Sequence, residues 1–224
     1  SRPAQGQTVT LTVRPAPGYK VGSVTVTEQG GGALPVRGAG DGQYVFQQSA
    51  GQVTVKVAFV WDNPFADVFP DDWFYSALEY VAVNHLMEGT GGNAFQPSQT
   101  LNRAMATQLF YNLEGKPAVT GDSTFTDVTS GHWAVDAITW AAQNDIVAGI
   151  GGDLYDPDSN VTREQFAVML YKYARFKGYD LTAAGDLTQF PDAGSISSWA
   201  ETALSWANGN DLINGHENGT IDPK

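Results

Sequence analysis

Cysteine is absent from the 224 residues, which removes disulfides, thiolate metal sites and cysteine nucleophiles at once. Basic residues are scarce: twelve lysines and arginines stand against twenty-four acidic residues, a net charge of −12. The imbalance is uneven. Residues 1–61 carry five basic and two acidic side chains, whereas residues 62–224 carry seven and twenty-two. A stretch this acidic repels a phosphate backbone and argues against nucleic acid as a partner, and any anionic ligand has to be caught by a few well-placed arginines. No run approaches the roughly 18 apolar residues of a membrane span, so membrane insertion is not expected. Ser1-Arg2-Pro3 lacks the features of a secretion signal, so the chain reads as a piece of something longer. Only three histidines occur, His85, His132 and His216, far apart and in different parts of the chain, and no nucleophile stands beside a matching base. No metal, cofactor or catalytic residue is expected, and the chain does not read as an enzyme. Asp156-Pro157-Asp158-Ser159-Asn160 imitates the front of a calcium loop but has Val161 where glycine is needed and Ala167 where a bidentate glutamate belongs.

What the chain has in abundance is repetition. Phe65-Ala66-Asp67-Val68, Phe125-Thr126-Asp127-Val128 and Phe190-Pro191-Asp192-Ala193 each open a block. Each opening leads to a tryptophan (Trp73, Trp133, Trp199), a helical stretch, a glycine-rich turn from Gly89, Gly149 or Gly215, and a proline (Pro97, Pro157, Pro223). A unit of this kind cannot bury its apolar face alone and has to stack on its neighbours. The spacing predicts a first helix over Trp73 to His85 and Trp133 to Asn144, and a second helix after Pro97 and Pro157, opened in the second copy by a Thr162/Gln165 capping box. Phe166, Met169, Leu170 and Tyr173 form an apolar stripe on that second helix, matched by Leu109, Phe110 and Leu113. The third copy reaches Lys224 before a second helix begins, so it reads as truncated.

Residues 1–60 have a different texture. Thr8 to Val13, Val21 to Thr27, Tyr44 to Phe46 and Val53 to Phe59 alternate apolar and polar residues between Gly and Pro punctuation, which predicts a small antiparallel module. Its pattern, Gly6-Gln7-Thr8-Val9-Thr10-Leu11 through Ala16-Pro17-Gly18-Tyr19 to Val53-Thr54-Val55, resembles the divergent internalin-type B-repeats that serve as stalks in bacterial surface proteins. With no titratable cluster in it, a spacer role is expected.

The repeated set of Phe-x-Asp, Trp, Gly, Pro and then a helix opened by Thr162-Arg163-Glu164 resembles the S-layer homology motif, the wall-anchoring unit of bacterial surface proteins. Copy one keeps Arg103 but has Asn102 and Ala104 around it, and copy three ends before its arginine. The resemblance implies motifs at 61–118, 119–181 and 182–224, and a fold in which the all-β module is followed by an all-α pseudo-trimer, with a central helical bundle and three prongs. It implies an extracellular location in the cell wall or S-layer of a bacterium. It also implies binding, without catalysis, of an anionic secondary cell-wall polysaccharide ending in a pyruvylated amino sugar, in grooves between prongs. The ligand-binding residues it implies are Asp67, Trp73, Gly89 and Arg103, Asp127, Trp133, Gly149 and Arg163, and Asp192, Trp199 and Gly215. The chemistry suits them: a guanidinium fork pairs with a carboxylate, free amides gather at a helix start, and an indole offers a flat face to a sugar ring. Each has a structural reading too. The aspartates can fix loop amides, the tryptophans can be core pegs, and Glu164 can be the internal partner of Arg163. The alternative function is a protein–protein assembly module that dimerises through its repeats, with the incomplete third motif open to self-association.

Overall fold

The computed structural model describes residues 3–224. The alternating N-terminal stretches form six strands, β1 (Thr8–Thr12), β2 (Tyr19–Glu28), β3 (Ala33–Leu34), β4 (Arg37–Gly40), β5 (Gln43–Gln47) and β6 (Val53–Trp61). They make two antiparallel three-stranded sheets, ordered β1-β5-β4 and β3-β2-β6. The long β2–β6 ladder runs from Tyr19↔Trp61 to Glu28↔Val53, and its register shifts between Val21 and Ser23. Gly22 sits at that irregularity because a Cβ there would lie 2.8 Å from Val60 Cγ1.

Five helices follow: α1 (Tyr75–Val83), α2 (Arg103–Leu113), α3 (Val135–Gln143), α4 (Arg163–Lys177) and α5 (Glu201–Gly209). The first helices of the three copies, α1, α3 and α5, are each nine residues long and end alike. Asn84, Asn144 and Asn210 turn their side-chain amides back to the carbonyls of Tyr80, Trp140 and Trp206, and His85, Asp145 and Asp211 then take left-handed backbone at φ 55–57°. The second helices, α2 and α4, open on side-chain caps. Asn102 accepts from the Met105 amide, and Thr162 with Gln165 makes the full capping box.

The all-α region expected after β6 is not what forms. The described residues form a mixed α/β structure of five α-helices and two three-stranded antiparallel sheets, and the region after β6 is not purely helical. Much of each copy is turn and extended loop, including the small bridges Gly91↔Ala94 and Gly151↔Leu154. The reason is local. Asn93, Gln96, Asp153, Asp156 and Asp222 all hold positive φ, a conformation that costs a non-glycine residue about 1–2 kcal/mol and cannot continue a helix.

The chain divides into two compact units, Ser1–Pro97 and Ser98–Lys224. In the first, Trp61 at the end of β6 meets Phe65 and Tyr75 edge-on at 6.2 and 5.1 Å, and the Tyr19 hydroxyl donates to Glu79 at 2.9 Å, so the β module and α1 share a core. In the second, α2 packs on α3 and α4 packs on α5: the second helix of one copy covers the first helix of the next. Ala137, Ile138, Trp140 and Ala141 of α3 are buried in this way, as are Ala203, Leu204, Trp206 and Ala207 of α5. Phe110 joins α2 to α4 through ring contacts with Phe166 at 6.1 Å and Tyr173 at 5.0 Å. Glu114, just past α2, accepts from the Tyr173 hydroxyl and the Lys177 ammonium. No helix among the described residues is long and apolar enough to cross a membrane.

Candidate functional site

The aspartate of each Phe-x-Asp opening folds the glycine loop that comes almost thirty residues later. Asp127 accepts from the Tyr155 and Asp156 amides at 2.9 and 2.7 Å, Asp67 from Phe95 and Gln96 at 2.8 and 2.7 Å, and Asp192 from Ile221 and Asp222 at 2.9 and 2.7 Å. One carboxylate thus holds two successive amides and fixes the left-handed residue before each proline. At Asp67 the Phe95 and Gln96 amides hold the carboxyl below its ordinary value of 3.8. At Asp127 and Asp192 partial burial pushes upward, but the two amides outweigh it and the carboxyl again lies low.

The phenylalanine of the same opening lies under the loop glycine. A Cβ on Gly149 would stand 2.8 Å from the Phe125 ring and 2.5 Å from the Leu154 carbonyl, and Gly89 and Gly215 are closed off in the same way by Phe65 and Phe190. Glycine is required here because a ring fills the space above its Cα.

The arginines complete the arrangement from an unexpected side. Arg103 is the first residue of α2, in copy one, yet its guanidinium enters the loop of copy two. Nε donates to the Tyr155 carbonyl at 2.9 Å, Nη2 donates to the Ala148 carbonyl at 3.0 Å, and the guanidinium carbon lies 4.5 Å from the Tyr155 ring centre. Arg163 repeats this one copy later, donating to the Ile221 and Asn214 carbonyls. The helix amides follow the same rule: Arg103 and Ala104 donate to the Ser159 and Pro157 carbonyls, and Glu164 donates to that of Pro223. The Arg103, Ala104 and Glu164 amides are therefore committed to the neighbouring copy, and those of Met105 and Gln165 to their own caps. Arg103 is 6% exposed, whereas Arg163 is half-buried. Burial pushes the Tyr155 phenol above 10 even though Thr107 and Arg103 pull the other way, so the ring under Arg103 is neutral.

Glu164 is not the partner of Arg163. It is 2% exposed and accepts from the Ser197 amide at 2.9 Å, the Ser197 hydroxyl at 3.0 Å and the Lys224 ammonium at 2.6 Å. Burial pushes its carboxyl up, but Lys224 and Ser197 outweigh that and hold it below 4.5. The contribution of a group whose native value is depressed is complete above its unfolded value and disappears as pH falls through the native one. Thermal melts from pH 7 to pH 3 should thus show a midpoint that is steady down to about 4.5 and falls below it, with a smaller fall in Glu164→Gln. A wild-type midpoint unchanged to pH 3 would contradict these loop contacts.

The tryptophans face solvent. Trp73 is 94% exposed, Trp133 58% and Trp199 59%, at the same register in each copy and just ahead of α1, α3 and α5. In copy two the structure thus assembles Asp127, Gly149 and Tyr155 with Arg103 from the preceding copy, and in copy three Asp192, Gly215 and Ile221 with Arg163. Asp67 and Gly89 form their loop in the first compact unit, while Arg103 and Arg163 lie in the second. Sequence reasoning missed Tyr155 and Glu164 as joint residues. Spacing could not reveal them, because the register of the copies is the same whether a helix serves its own loop or the next.

A family model for the S-layer homology domain matches residues 64–106, 124–167 and 189–224. Among curated relatives, an amylopullulanase of Thermoanaerobacterium thermosulfurigenes is 31% identical over 167 residues, 75% of this chain and 9% of that protein. The surface-layer 125 kDa protein of Lysinibacillus sphaericus is 32% identical over 141 residues, 63% of this chain and 12% of its own length. A cellulosome-anchoring protein of Acetivibrio thermocellus is 26% identical over 142 residues, 62% of this chain and 31% of its own. The chain therefore spans less than a third of each of these three relatives.

Proposed function

We propose a cell-wall anchoring role for this chain, which belongs to the S-layer homology domain family. Surface-layer and cellulosome-anchoring relatives support the coarse reading, a module that attaches its parent protein to the bacterial cell envelope. Enzymes match it over only a small share of their length, as expected of an anchoring module joined to separate catalytic domains.

The finer reading is that the ligand is an anionic secondary cell-wall polysaccharide with a pyruvylated amino sugar, held without catalysis. The observation that carries it is the exposure of Trp73, Trp133 and Trp199 at one register, each six or seven residues after the aspartate that fixes the glycine loop of its copy. A bare indole costs solvation and gains nothing for the fold, but it gives a sugar ring a flat apolar face. Arg163 supplies the charge. Its Nε and Nη2 are engaged, and the half-buried guanidinium keeps a donor for a ligand carboxylate. Arg103 serves mainly to hold the copy-two loop, and the aspartates and glycines shape the loops rather than touch sugar. Residues 1–60 act as the spacer.

Titration calorimetry with a synthetic ketal-pyruvylated amino sugar tests this. Trp133→Ala should weaken binding about tenfold, and Arg163→Ala should cost about 1.5–3 kcal/mol, the range for a hydrogen bond to a charged group. Unchanged affinity in both variants, with both folded, would overturn the assignment.

A further inference from the structure

The three exposed tryptophans are not held alike, and the difference lies in the residue before each. His132 is bound to its surroundings twice. Its Nδ1 accepts the Ala134 amide at 3.1 Å, which fixes the ring at the entry to α3, and the ring lies over Trp133 at 5.7 Å with 28° between the planes. Copy one has Asp72 at this place, and its carboxylate is turned away to the Phe69 amide. Among the described residues, the one ring in contact with Trp73 is that of Phe74, edge-on at 90°, and Trp73 is almost wholly exposed. Copy three has Ser198, and among the described residues no aromatic ring is stacked on Trp199.

We infer that His132 is the positioning residue for Trp133, and that it makes the second copy the dominant sugar-binding face of this chain. An indole free to swing has to be ordered when a ligand arrives, and that ordering subtracts from affinity. In copy two the order is already present. The imidazole is anchored by the amide of Ala134, the residue that caps α3, and Trp133 is stacked on the anchored ring, so the indole is backed by protein while it stays 58% exposed. His132 itself need not touch the ligand. This inference rests on the anchoring role proposed above, and it predicts a rank order among the copies that the role alone does not.

The test uses the full chain and the synthetic ketal-pyruvylated amino sugar in titration calorimetry, with melting points measured alongside. Trp133→Ala should weaken binding more than Trp73→Ala or Trp199→Ala. His132→Ala should weaken it about three- to tenfold, the range for losing one aromatic pair. His132→Phe restores a ring over Trp133 without the Nδ1 acceptor and should recover most of the loss, whereas His132→Asn restores an acceptor for the Ala134 amide without a ring and should recover little. A purely structural role would give the reverse, with Asn rescuing both melting point and binding. If Trp133→Ala weakens binding but no His132 variant does, the positioning inference fails and the anchoring reading stands. If none of the three tryptophan variants alters binding, both fail.

Discussion

Arg103→Ala is expected to remove about 3–4 kcal/mol of stability from the second compact unit. The estimate follows from what the side chain does. Two backbone carbonyls, those of Tyr155 and Ala148, lose a charged donor inside the protein, and such a bond is worth about 1.5–3 kcal/mol. The contact with the Tyr155 ring adds about 2 kcal/mol when desolvated, and the terms overlap because one group makes all three contacts. Lysine does not replace it, since a single ammonium has no planar fork with which to bond two carbonyls while lying on a ring. Arg103→Lys should thus recover less than half of the loss. Arg163→Ala, at the corresponding but half-buried place, should cost less than Arg103→Ala. Urea unfolding of the full chain measures all three, and a loss below about 1 kcal/mol for Arg103→Ala would refute its role as the joint between copies one and two.

Phe110→Ala should be comparably damaging, at about 3–5 kcal/mol, for a different reason. The ring is 1% exposed and lies against Phe166 and Tyr173, so its removal leaves a cavity at the crossing of α2 and α4. Helix ends and loops can relax around a lost surface residue, but a helix crossing closed by three rings cannot. Trp133→Ala supplies the contrast: more than half exposed, it should shift stability by less than about 0.5 kcal/mol. The same urea experiment reads both, and equal losses would show that the exposed tryptophans are part of the fold and not a surface for sugar.

The contrast between these residues also shows how far the sequence could be read. The three-copy register led directly to the S-layer homology family, and the capping box at Thr162 and Gln165 is present because its chemistry is local: a hydroxyl and an amide three residues apart find each other whatever surrounds them. The alternating strands of the N-terminal module were equally legible, except for β3 and β4, a two-residue strand and a glycine-containing four-residue strand that carry no period. The helical class assigned to the rest failed at the loops. Residues such as Asp156 take left-handed backbone only because a distant carboxylate, Asp127, holds their amides, and propensity along the chain does not register that. Arg103 illustrates the same limit for the site. Its position at the start of a helix was evident, but it closes the following copy's loop, a fact about packing and not about spacing. The glycines mark the third case. Their loops were read from sequence, whereas the phenylalanine ring that makes glycine obligatory comes from the opening of the same copy, some twenty-four residues earlier.

The most direct measurement of the central claim is a pull-down of the full chain on purified bacterial sacculi, before and after acid treatment that strips the secondary polysaccharide, with Trp133→Ala alongside. Exposed indoles that grip that polymer predict retention of the wild-type chain on intact sacculi, loss of retention on stripped sacculi, and weak retention of the folded Trp133→Ala variant on either. Undiminished binding of the wild type to stripped wall would contradict the account.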